Sequence, residues 1–309
     1  VRRSRRPILA IALVACGALA LSSCQAKREF NGIIAYCTDF GVKEGSVAEM
    51  KGVALRVDPD LKLYDITHEV PPYNVWIGCY YLDQSCKYWP KGTIFVGVVD
   101  PGVGTERKPV AILTKSGYLF IGPDNGLFTL VAENMGIAEA REIDVSKNTR
   151  PDYEAKESHT FHGRDLFGYT AARLAAGKIQ FKDVGPVIEK IQTFDIKKPS
   201  IDGNAAVGML PMIDANYGNV WTNIDKSLLE EKLGVKLGDM VSVEIAKDGK
   251  KVYSGVMQYC ETFGNVPEGE NLLYLNELLN VSFAVNMGSF SSKYGVEAGP
   301  EWTVRLSKK

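Results

Sequence analysis

The sequence predicts two domains: an α/β N-terminal domain on a largely parallel sheet, then a smaller all-β C-terminal domain. Three observations carry that expectation. From residue 31 onward, short apolar segments alternate with stretches of helical spacing. Beyond about residue 200 the segments are almost all strand-like. The chain has 309 residues, 45% hydrophobic and 24% charged, a length that suits two cores better than one.

The first residues stand apart. "VRRSRRP" is a basic stretch, "ILAIALVACGALAL" an apolar run too short to span a bilayer comfortably, and "LSSC" follows. Residues 1–24 read as a lipoprotein signal peptide. Leu21-Ser22-Ser23-Cys24 resembles a bacterial lipobox, so Cys24 is the expected lipidation site and a lipid-anchored position in the cell envelope is expected. The alternative is a membrane anchor that is never cut.

The N-terminal domain is expected over residues 31–190. "GIIAYCTDF" is a strand ending at Asp39, and "SVAEMKGVALRVDPD" a helix stopped at Asp-Pro. "LKLYDITH" is the next strand, "YNVWIGCYYLDQSCKYWP" a helix ended by Pro90, and "TIFVGVVD" another strand. "KPVAILTKSGYLFIGPDNG" reads as two strands joined at Lys115-Ser116-Gly117. "LFTLVAENMG" and "GRDLFGYTAARLAAG" are helices closed by glycine. Strands separated by helices of this length argue for a parallel sheet. The boundary falls near "DIKKPSIDG". Residues 200–309 then supply strands, with Asp248-Gly249 as a hairpin turn and helical signal limited to "KSLLEEKLG" and a stretch after Gly288.

A net charge of -1 predicts no broad attraction to nucleic acid or anionic lipid, so function is expected in a local site. Cys37, Cys79, Cys86 and Cys260 lack metal-ligand spacing and read as buried thiols; no metal and no cofactor is expected. Cys79 and Cys86 share a helix face about 10 Å apart, too far to bond each other.

Ligands of parallel α/β sheets collect beyond the carboxyl ends of the strands. Asp39 and Asp100 both end strands there, and "TFHGRD" places His162, one of only three histidines, at the start of a helix. If these ends converge, Asp100, Arg107 and His162 share a pocket. An aspartate and a histidine can polarise a water while an arginine positions the aspartate. Equally, Asp100 can cap a turn, Arg107 pair with a surface acid and His162 be an ordinary loop histidine. "HGRD" lacks a preceding glycine-rich phosphate loop, and "GVGTER" is neither a Walker nor a dinucleotide motif. Asp65 and His68 in "DITHEV" are too few for a metal site. In "DANYGNVWTNID", aromatics alternate with amides, which suits either a heterocycle site or an amphipathic strand.

Taken in order, "TDFG", "SVAEMKG", "DITHEVPPYNVWIG", "WPKGTIFVGVVDPGVGTER", "GPDNGL", "TFHGRD", "YGNVWTN", "TFGNVPEG" and "AVNMGS" resemble the S-adenosyl-L-methionine hydrolase family. These adenosine-forming enzymes, also called SAM hydroxide adenosyltransferases, are relatives of the fluorinating and chlorinating enzymes. The likeness runs from residue 31 to the end. It implies a barrel-like C-terminal domain, a homotrimer, and a ligand held between one subunit's N-terminal domain and a neighbour's C-terminal domain. It implies hydrolysis of S-adenosyl-L-methionine to adenosine and L-methionine, with Asp100, Arg107 and His162 activating water. Asp39 is implied at the ribose, Ser46 and Asp214 at the amino-acid end, Tyr73 in the reaction pocket, and Tyr217, Asn219, Phe263 and Asn286 around adenine. The halide-using relatives carry tyrosine where Asp100 stands and, in the fluorinating case, serine where Gly163 stands, so hydroxide is the implied nucleophile. The chain departs from the pattern in offering Glu44 or Gly45 for an aspartate, and "YGN" for "FGN". The substrate is a cytosolic metabolite whereas the N-terminus reads as exported, so a lipoprotein that binds adenosine or a related nucleoside without turnover is the alternative.

Overall fold

The computed structural model describes residues 28–309. The expected leader and Cys24 lie outside the described residues. Among the described residues no helix is long and apolar enough to cross a membrane.

The N-terminal half is a seven-stranded sheet between two helical layers. Its elements are β1 (Ile33–Thr38), α1 (Ser46–Val57), β2 (Lys62–Thr67), α2 (Val75–Cys86), β3 (Ile94–Val98), β4 (Pro109–Thr114), β5 (Leu119–Pro123), α3 (Thr129–Met135), β6 (Ile137–Glu142), α4 (Val145–Asn148), α5 (Tyr153–Glu157), a π-helical segment Gly163–Gly168 running into α6 (Tyr169–Ala175), and β7 (Val187–Ile188). The runs IFVGV of β3 and LFIGP of β5 are buried throughout, as strands covered on both faces must be. α1 buries Met50, Val53 and Ala54 at helical spacing and ends where Pro59 disfavours continuation. With Leu166, Phe167, Ala171 and Leu174 it covers one face of the sheet. α2 and α3 cover the other, packing Leu82, Cys86 and Val131 on Phe95 and Phe120.

The strand order is β2-β1-β3-β5-β4-β6-β7. The β2-β1-β3-β5 run is parallel, but β5–β4, β4–β6 and β6–β7 are antiparallel. The sheet is therefore mixed rather than largely parallel. The cause is local: the Lys115-Ser116-Gly117 turn, with Gly117 at φ 86, is too short for a crossover and folds β4 back on β5. The strand β6 in "IAEARE" follows from that reversal and carries no strong alternation of its own.

The C-terminal half is a nine-stranded sheet with its own core around Trp302, Phe283 and Leu306. Its elements are β8 (Ser200–Asp202), β9 (Ala205–Leu210), β10 (Met212–Ile213), β11 (Val220–Asp225), β12 (Met240–Lys247), β13 (Lys250–Tyr259), β14 (Asn271–Leu275), β15 (Asn280–Val285), α7 (Phe290–Tyr294) and β16 (Gly299–Lys308). Only β13–β14 is parallel. Asp248 and Gly249, at φ 48 and 74, form the expected hairpin turn. "KSLLEEKLG" yields a single π-helical turn, Leu228–Lys232. The order is β10-β11-β15-β14-β13-β12-β16-β9-β8, and β9 and β10, separated only by Pro211, pair with β16 and β11 respectively, so the stretch 205–213 reaches both flanks of the ladder. β9 and β11 also approach through a side chain, Met209 N–H donating to Asn223 Oδ1 at 2.8 Å. The halves meet where Trp76 Nε1 donates to Pro211 O at 2.8 Å and Tyr80 packs edge-on against Trp221.

Candidate active site

β1 and β3 are adjacent parallel strands, so their carboxyl ends open on the same side and bring Asp39 and Asp100 together. A cavity of about 580 Å³ lies there, lined by Asp39, Ser46, Tyr73, Asp100, His162 and Gly163, with Phe40 and Phe161 as apolar walls. Five residues singled out from the sequence thus share one cleft. Ser46 opens α1, where its N–H donates to the Glu44 carboxylate. Tyr73 has φ 66, a left-handed conformation unusual for tyrosine, and its N–H donates to Asp39 Oδ2 at 2.9 Å. That bend delays the start of α2 to Val75, where Asn74 caps it by accepting from the Ile77 N–H.

Arg107 stands behind the cleft and organises it. Its Nε donates to Asp100 Oδ1 at 3.0 Å and its Nη2 to Oδ2, a bidentate fork. The pair is buried, with side chains 7% and 5% exposed. Nη2 also donates to His162 Nδ1 at 3.2 Å. Guanidinium is a donor only, so Nδ1 accepts, and in the neutral ring the His162 proton sits on Nε2. Burial and the Arg107 charge both push the His162 pKa below its ordinary value, which agrees with a neutral imidazole. Phe167, one turn along the π-helical segment, lies under the guanidinium at 5.3 Å and edge-on to His162. Arg107 Nη1 is buried without a partner among the described residues, a donor available to an oxygen at the site.

The C-terminal residues do not join this cleft within one chain. Asp214 and Tyr217 line a second cavity of about 640 Å³ at the domain junction, together with Asn74, Tyr81 and Ser289. Asp214 shapes its own turn: Oδ1 accepts from the N–H groups of Asn216 and Tyr217, and its N–H donates to the Asn219 carbonyl. Asn219 is buried, while Tyr217 is 67% exposed. Phe263 and Asn286 line neither cavity. Phe263 packs on Tyr274 with ring centroids 4.9 Å apart, and Asn286 Nδ2 donates to the Val266 carbonyl at 2.8 Å.

Phe40, Phe161 and Phe167 were not singled out in the sequence: the first two are lone loop aromatics with no periodic signal, and Phe167 reads as an ordinary core position of its helix, so only nearness to His162 could have marked Phe161 and Phe167. Asp65 and His68 bond each other rather than gathering as metal ligands. Among the described residues no group of three His, Cys, Asp or Glu side chains is arranged to hold a metal ion. Cys37, Cys79, Cys86 and Cys260 are free and buried, and burial pushes the Cys37 and Cys79 thiols up to about 12.

The model of the SAM hydroxide adenosyltransferase N-terminal domain matches residues 34–185, and that of the C-terminal domain matches residues 208–303. The (R)-S-adenosyl-L-methionine hydrolase of Methanocaldococcus jannaschii is 37% identical over 217 residues, covering 69% of this chain and 73% of that protein. A fluorinase of Actinoplanes sp. is 29% identical over 300 residues, covering 89% and 97%. The crystal structure of an uncharacterized conserved protein from Thermotoga maritima superposes with a TM-score of 0.77 at 34% identity, covering 89% of this chain and 99% of its own.

Proposed function

The chain belongs to the SAM hydroxide adenosyltransferase family, and on that premise we propose that it hydrolyses S-adenosyl-L-methionine to adenosine and L-methionine. The observation that carries the reading is the Arg107 fork, which orients Asp100 and His162 at the wall of one cleft. A water there donates a proton to Asp100 and accepts from His162 Nε2–H, so its remaining lone pair points at the substrate. That lone pair attacks C5′ in line with the departing sulfur. The C5′–S bond breaks, the sulfonium becomes the neutral thioether of methionine, and Asp100 passes the proton to solvent. A sulfonium is already a good leaving group, so alignment and partial desolvation of the oxygen supply most of the acceleration.

Gly163 suits a water nucleophile among aromatic walls: a Cβ there would lie 3.1 Å from the Phe40 ring. Asp39 is assigned to the ribose hydroxyls, Ser46 to the amino-acid end and Tyr73 to the cleft mouth. Asp214, Tyr217, Asn219, Phe263 and Asn286 lie apart from this cleft in the single chain, which fits a homotrimer in which a neighbour's C-terminal domain covers it and holds adenine and methionine. Anchoring of the chain in the envelope through Cys24 belongs to the same proposal.

The test is chromatography of the purified protein incubated with S-adenosyl-L-methionine, beside Asp100→Ala, with thermal stability measured for both. Adenosine and methionine in equal amounts from the parent alone support the assignment. Intact substrate with bound adenosine instead leaves a nucleoside-binding protein.

A further inference from the structure

β1 and β2 pair in register from Ile33 opposite Lys62 to Tyr36 opposite Asp65, then slip by one residue so that Cys37 faces Thr67. Such a bulge turns the side chains beyond it to new positions. Its consequence is that His68, just past β2, meets Thr38, the last residue of β1. They are 4% and 0% exposed. The Phe40 N–H donates to Thr38 Oγ1 at 3.2 Å, which leaves the hydroxyl proton free for His68 Nδ1 at 2.8 Å. Nδ1 then accepts, so His68 Nε2–H donates to Asp65 Oδ1 at 2.9 Å, and Lys51 Nζ closes the chain on Asp65 Oδ2 at 2.6 Å. Backbone bonds reinforce it: the Gly41 N–H donates to the His68 carbonyl and the Val70 N–H to the Thr38 carbonyl.

Between Thr38 and Phe40 lies Asp39, whose carboxylate faces the cleft and holds the left-handed Tyr73 turn. Phe40 forms an apolar wall against Phe161, with centroids 5.6 Å apart. We infer that Thr38, His68, Asp65 and Lys51 form a positioning relay that fixes the Asp39 carboxylate and the Tyr73 turn for substrate. His68 therefore serves the grip on the ligand, from behind the strand, and none of the four meets the reacting atoms. The inference rests on the hydrolase reading for the identity of the substrate, but not for the order the relay imposes on the corner.

Three variants test it. Thr38→Val keeps the shape and removes the hydroxyl, Thr38→Ser restores it, and His68→Asn keeps an acceptor near Nδ1 while cutting the link to Asp65. Misplacing one charge-assisted contact raises KM for S-adenosyl-L-methionine about tenfold in Thr38→Val with kcat within about twofold; Thr38→Ser returns KM to within about twofold. Hydrogen exchange, which needs no ligand, accelerates in segments 36–42 and 70–75 in Thr38→Val and not in Thr38→Ser. If Thr38→Val fails to fold, His68→Asn carries the same comparison. An unchanged KM with loss confined to kcat or thermal stability, or unchanged exchange at both segments, overturns the relay. A parent protein that does not turn over the substrate refutes the hydrolase reading, and the exchange experiment still decides the relay.

Discussion

The two ends of the candidate site are built on opposite terms. In the N-terminal cleft the acids and bases predicted to act on water and ribose are held from within the chain: Asp100 by Arg107, His162 by Arg107, and Asp39 by the Tyr73 N–H. The C-terminal cluster is loose by comparison. Tyr217 is 67% exposed, Phe263 40% and neighbouring Met287 83%; Asp214, Tyr217 and Asn219 share one turn at the second cavity, whereas Phe263 and Asn286 lie apart from it. The difference teaches that positioning for chemistry is stored in one fold, whereas recognition surfaces are left for something else to complete.

The largest effect expected is at Asp100. Asp100→Asn removes the proton acceptor and sets an amide N–H against the Arg107 fork, so kcat falls about 10³-fold, while adenosine affinity, read by calorimetry, changes by less than about threefold. A comparable loss of binding would break the division between chemistry and recognition. Next is Arg107→Lys, which keeps the charge but cannot fork; about a 10²-fold drop in kcat is expected from steady-state kinetics. On the other side of the comparison, Tyr217→Ala raises KM about tenfold with kcat little altered, because only stacking is lost. Mixing it with Asp100→Asn sharpens the point. If the halves come from neighbouring subunits, mixed oligomers at low substrate turn over faster than the sum of the two variants measured separately, and a pair that mixes without such a gain places both halves in one chain.

The smallest effect concerns His162. Its pKa is lowered from 6.5, so the ring is neutral at pH 7 and protonates only on acidification. The folded form binds this proton less readily than the unfolded chain. The neutral ring's contribution to stability is therefore present above pH 6.5 and lost as pH falls through the lowered value. Rate should hold through neutral pH and fall on the acid side in the same window. NMR titration of the imidazole should report a pKa below 6.5 that rises in Arg107→Met, since one of its causes has been removed.

Much of this was legible in the sequence because it is local. Strand-end aspartates, the glycine turn before Arg107 and the helix start at His162 are read from neighbouring residues, and together they put Asp39, Asp100 and His162 in one cleft. What the sequence concealed depends on distant pairing. The Lys115-Ser116-Gly117 turn is visible, but nothing local shows that the strand it reverses, β4, then pairs with β6, or β6 with β7. In the C-terminal sheet the stretch 205–213 divides its pairing between β16 and β11, which no spacing records. The role of His68 is hidden because its partner Thr38, thirty residues away in the chain, is brought opposite by a bulge.

The most direct measurement is mass spectrometry of the nucleoside formed from S-adenosyl-L-methionine in oxygen-18 water, with chloride and fluoride present. The account predicts adenosine carrying one heavy oxygen at C5′, formed by the parent and lost with Asp100→Asn. A halogenated nucleoside, an unlabelled one, or equal labelling by both proteins would contradict it.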